Sequence, residues 1–81
     1  QFLFFLFYEA RINNAAQSKD TELVYFLLST ETEIPKNAFK DSSLNQLVIP
    51  CSITTINCLY LNHLAQISIP SSVTFIGKYA F

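Results

Sequence analysis

Leu47-Val48-Ile49-Pro50-Cys51-Ser52-Ile53-Thr54-Thr55-Ile56 returns twenty residues later as Ile67-Ser68-Ile69-Pro70-Ser71-Ser72-Val73-Thr74-Phe75-Ile76. Self-similarity at a fixed spacing is the mark of a repeat architecture. Within each copy, apolar residues two apart, Leu47 with Ile49 and Ile67 with Ile69, predict a strand with Val48 and Ser68 turned outward. Pro50 and Pro70 end that strand, because proline has no ladder donor. Ile53 with Ile56, and Val73 with Ile76, then return apolar groups to the same interior.

The pattern extends outward in both directions. Ile34-Pro35-Lys36-Asn37-Ala38-Phe39, Ile56-Asn57-Cys58-Leu59-Tyr60-Leu61 and Ile76-Gly77-Lys78-Tyr79-Ala80-Phe81 start 22 and then 20 residues apart. Leu44 and Leu64 occupy matching places before the strands. A unit of this size with one strand cannot bury its apolar side alone, but stacked units can. The expected layers are Leu47 over Ile67, Ile49 over Ile69, Ile53 over Val73, and Phe39 over Leu61 over Phe81. The fold class read from this is an α+β repeat, a solenoid fragment of short parallel strands and turns.

These residues resemble the BspA-type leucine-rich repeats, whose pattern runs Leu-x-x-Ile-x-Ile-Pro-x-Ser-Val-Thr-x-Ile-Gly-x-x-Ala-Phe. The run from Ile67 to Phe81 follows it at nearly every defined position, and Ile34 to Ile56 follows it well. The turn from Asn57 to His63 departs from it, having lost the Ala-Phe pair and two loop residues. The resemblance covers residues 34–81. It implies a curved solenoid without enzymatic activity, of a kind commonly found in surface proteins and adhesins that bind other proteins.

The first half of the chain predicts helices. Residues 3–16 read as one helix, joined through Gln17-Ser18-Lys19 to a second. Asp20 is placed to cap the second helix, with Glu22 in its positive first turn. Leu23, Phe26 and Leu27 fall on one face of it and are the expected buried stripe. Residues 12–28 also resemble the helical pair of an ankyrin repeat, with Ala15-Ala16 closing one helix and Glu22-Leu23-Val24 opening the next. The organisation expected is a helical hairpin over residues 1–29 capping the stack, a linker over 30–33, and repeats over 34–81, about two units and the start of a third. The missing initiator Met and the stop inside a unit are read as a fragment of a longer repeat protein. Expressed alone, the piece is expected to self-associate through Ile67, Ile69 and Val73.

Composition narrows the function. Only 14% of residues are charged, against an average near 25%, so the surface is largely uncharged and polar. The net charge of −1 excludes nucleic-acid binding by phosphate neutralisation, and Ser42 to Gly77 holds no charged residue at all. The apolar run Phe2 to Tyr8 is too short to span a bilayer. It is either the clipped core of a signal segment or a buried element of a longer parent. Cys51 and Cys58 do not match zinc-site spacing, and both are expected in the core, with a disulfide open to them if the protein is secreted. His63 has no catalytic partner near it, no serine stands in Gly-x-Ser-x-Gly, and Glu31 with Glu33 reads as a solvated connector.

What remains is a surface. The outward strand positions Gln46, Val48, Gln66 and Ser68 form the candidate partner-binding face. The expectation is a non-catalytic protein-binding module, with no cofactor, no metal, no nucleic acid and no small-molecule substrate. Cell-surface or secreted placement is favoured over a cytoplasmic one, with any membrane attachment supplied by a part of the parent outside this chain. The alternative is an intracellular scaffold combining ankyrin-like helices with leucine-rich repeats.

Overall fold

Two helices lead into five short strands in the computed structural model, which describes residues 2–59, 64–77 and 80. Helix α1 spans Phe2–Gln17 and α2 spans Thr21–Ser29. The turn between them closes with the Lys19 amide donating to Ala16 O (3.0 Å) and the Asp20 amide to Ala15 O (3.0 Å). Lys19 itself is left-handed, at φ 57°. This is the pairing of a Schellman stop, with lysine where glycine is usual. Asp20 then caps α2, its Oδ1 accepting from the Leu23 amide at 3.1 Å.

The strands are β1 (Glu33–Ile34), β2 (Gln46–Val48), β3 (Thr55–Ile56), β4 (Gln66–Ser68) and β5 (Phe75–Ile76). They form two parallel sheets, ordered β1-β3-β5 and β2-β4. Each unit therefore supplies two strands where the aliphatic spacing predicted one. The second strand is only two residues long, too short to show an alternating pattern. Register follows the repeat: Ile34 pairs with Ile56, Ile56 with Ile76, and Leu47 with Ile67. The Ile49 amide donates to Ser68 O at 3.1 Å and extends the second register by one residue.

Short polar side chains hold successive units together. Thr32 O accepts from the Thr54 amide (2.8 Å) and its Oγ1 (3.3 Å). Thr54 O accepts from the Thr74 amide (2.8 Å) and Oγ1 (3.4 Å) in the same way. On the other side of the turn, Ser52 Oγ donates to Leu28 O (3.3 Å) and Ser72 Oγ to Ile53 O (2.8 Å). Gly77 is required where it stands. Its amide donates to Ile56 O at 2.7 Å, and a Cβ there would lie 1.9 Å from Asn57 O.

Helix α1 is pinned to the first unit. Tyr8 Oη donates to Glu33 O (3.0 Å), Glu9 Oε2 accepts from the Asn37 amide (3.0 Å), and Asn13 Nδ2 donates to Lys40 O (2.9 Å). The core runs from Ile12, Ala16 and Leu28 in the helices to Ile34, Phe39, Leu47, Ile53 and Ile56 in the units. Val73 and Ile67 pack against it half-buried. Of the expected layers, the one joining Phe39 to Leu61 and Phe81 reaches residues outside those described.

Three sequence expectations need correction. The buried stripe of α2 is Val24, Leu27 and Leu28, while Leu23 and Phe26 are exposed. Nearly every residue from Leu23 to Leu28 is apolar, so more than one face satisfies helical spacing. Cys51 is exposed and only Cys58 is buried, and the two are not joined in a disulfide. Cys51 occupies the turn position that Ser71, also exposed, holds in the next unit. Glu33 is a strand residue and no solvated connector. Its carboxylate accepts from Asn57 Nδ2, and its carbonyl accepts from Tyr8.

Candidate functional site

The parallel register of β2 and β4 sets Gln46 beside Gln66 and Val48 beside Ser68. All four are exposed, with Leu47 buried and Ile67 half-buried between them. The four candidate residues thus share one uncharged face of the two-stranded sheet. Val48 contributes an apolar patch to it. The three others offer amide and hydroxyl groups that donate and accept.

Beside this face lies a groove of about 440 Å³ between α2 and β2. Buried Val24, Leu44 and Leu47 form its floor. Exposed Tyr25 and Val48 stand at its sides, and Thr21, Glu22 and Gln46 complete the rim. The groove joins two of the predicted face residues, Gln46 and Val48, to helix residues that sequence reasoning did not assign to any site. No sequence signal links them, because the groove forms only where a helix docks against a strand well separated from it in the chain.

Groups suited to reaction chemistry are dispersed. Among the described residues no cluster of three or more His, Cys, Asp or Glu is placed to hold a metal ion. His63 lies outside those residues. Burial, and then the charges of Glu31 and Glu33, push the Tyr8 hydroxyl well above its ordinary titration range. That keeps it a neutral donor to the Glu33 carbonyl, a role in holding the cap. No helix among the described residues is long and apolar enough to cross a membrane.

Stacked short parallel strands, an in-register aliphatic interior and hydroxyl-bearing turns define an α+β repeat protein. The model of the BspA type leucine rich repeat region, six copies long, matches residues 9–81, and the chain belongs to that family. The match starts well before the residue-34 boundary drawn from the sequence and takes in most of α1 and all of α2. The ankyrin-like reading of residues 12–28 is not borne out. No curated protein and no solved structure matches the chain.

Proposed function

We propose that the chain is a non-catalytic protein-binding module, part of a leucine-rich-repeat solenoid, whose contact surface is the outward face of the β2–β4 sheet. Membership of a repeat family whose units commonly mediate protein interactions supports the coarse reading. The observation that carries the finer one is the pairing of Gln46 with Gln66 and Val48 with Ser68 on one exposed, uncharged face. A flat sheet face backed by a packed core changes its outer side chains without cost to the fold, which suits recognition. We further propose a secreted or cell-surface setting, in keeping with the absence of charged residues from Ser42 to Gly77.

A photo-crosslinking amino acid placed in turn at Gln66, Ser68 and Lys36 tests the face. Discrete protein adducts from Gln66 and Ser68, lost in a Val48→Lys variant and absent from Lys36, are the expected result. Equal labelling from all three positions contradicts it. The setting is tested with a membrane-impermeant amine reagent on intact source cells. Labelling of Lys36 and Lys40 is expected, whereas labelling only after lysis contradicts export.

A further inference from the structure

We infer that the groove between α2 and β2 receives an extended segment of a protein partner, which adds to the free edge of β2, seats an aliphatic side chain on the groove floor and sets a Lys or Arg beside Glu22. This rests on the protein-binding reading and names the partner's chemistry at the margin of the same face.

Among the described residues strand β2 has a strand neighbour on one side only, β4. The Gln66 amide donates to Asn45 O (3.1 Å), and the Ile49 amide donates to Ser68 O (3.1 Å). Those two bonds fix which residues of β2 serve the ladder. Parallel pairing alternates, so the N–H and C=O of Gln46 and Val48 point to the opposite edge, into the groove. No hydrogen bond joins those groups to α2 among the described residues.

No described strand of the chain fills that edge. In the spacing that relates the units, the positions one unit before β2 fall at Val24 to Phe26, and these are helical. A helix satisfies its own backbone and cannot extend a ladder. At the same end of the stack β1 is covered differently, since the Glu33 carbonyl accepts from Tyr8 Oη. Gln46–Val48 holds no lysine or proline to blunt its edge, and α2, which stands beside that edge, leaves the groove between them open.

Shape and charge select the occupant. Free donors and acceptors along a strand call for an extended backbone. The floor of Val24, Leu44 and Leu47 accepts a side chain that is apolar. Among the described residues Glu22 is the sole charged one lining the groove, so it favours a cationic neighbour. Main-chain bonds supply attachment, and the floor with Glu22 supplies selectivity.

Amide hydrogen exchange on the 81-residue chain tests this, first alone and then with the blocked peptide Lys-Thr-Val-Thr-Val-Thr. Gln46 and Val48 amides are expected to exchange fast in the free chain and to slow about tenfold when the peptide is present. The same peptide with alternate amides N-methylated should give no protection. Glu22→Lys should reverse the preference toward a peptide that begins with Glu. Val48→Pro removes a groove-facing donor from an edge strand, so it should weaken the peptide effect while the Ser68 amide stays protected. Slow exchange at Gln46 and Val48 in the free chain overturns the inference. So does a peptide that protects neither amide, or equal binding of the N-methylated form, which would make the groove a simple apolar pocket. If the edge fails while crosslinking from Gln66 and Ser68 persists, the groove proposal falls and the binding-face reading stands.

Discussion

Ile34, Ile56 and Ile76 hold the same place in successive units, yet the first two are fully buried and the third is 45% exposed. Ile49 and Ile69 repeat the contrast, at 3% and 39%. Nothing in the side chains differs. The first two rungs have structure beyond them, whether the α1–α2 hairpin or the next unit, and the β4–β5 rung has none among the described residues. Burial here belongs to the neighbour as much as to the residue, and stability resides in the interfaces between units.

The largest expected break in this comparison comes from paired truncations. Ile56→Ala should cost about 3 kcal/mol, because it opens a cavity between two rungs. Ile76→Ala should cost under about 1 kcal/mol, since its side chain is half in water already. Urea denaturation of the two variants checks both, and equal losses would erase the distinction between the rungs. Next is Gly77→Ala. The added methyl meets a backbone carbonyl, so β5 must shift away from β3, at about 2 kcal/mol. Loss of exchange protection confined to Phe75 and Gly77 should accompany it.

At the capped end, Asp20→Ala removes the acceptor for the Leu23 amide and should cost about 1 kcal/mol, measured by thermal unfolding. The slightest change at neutral pH is Tyr8→Phe, under about 1 kcal/mol for the lost bond to Glu33 O. Its effect grows in alkali. In the unfolded chain the Tyr8 hydroxyl loses its proton near pH 10, while in the folded chain burial holds the proton to higher pH. The unfolded state then binds fewer protons, so stability falls as pH rises past about 10. Tyr8→Phe should flatten that fall relative to the parent chain, and an unchanged alkaline slope would remove Tyr8 from the cap.

The repeat was legible because aliphatic residues recur at fixed spacing and parallel register follows that spacing residue by residue. The outward placement of Gln46, Val48, Gln66 and Ser68 followed from the same alternation. Other features escaped for physical reasons. The buried stripe of α2 is selected by what it docks against, and a helix apolar from Leu23 to Leu28 offers several candidates. Strands β1, β3 and β5 are two residues each, below the length at which alternation is visible. The groove beside β2 depends on a helix standing where the repeat spacing would place a strand, and only the packed molecule displays that substitution.

The most direct test of rung-upon-rung stacking is a methyl NOE map of the isoleucines and leucines. Cross-peaks joining Ile56 to both Ile34 and Ile76, together with Leu47 to Ile67, are the result expected. A map in which Ile56 reaches neither partner, or in which Leu47 lies opposite a residue other than Ile67, would contradict it.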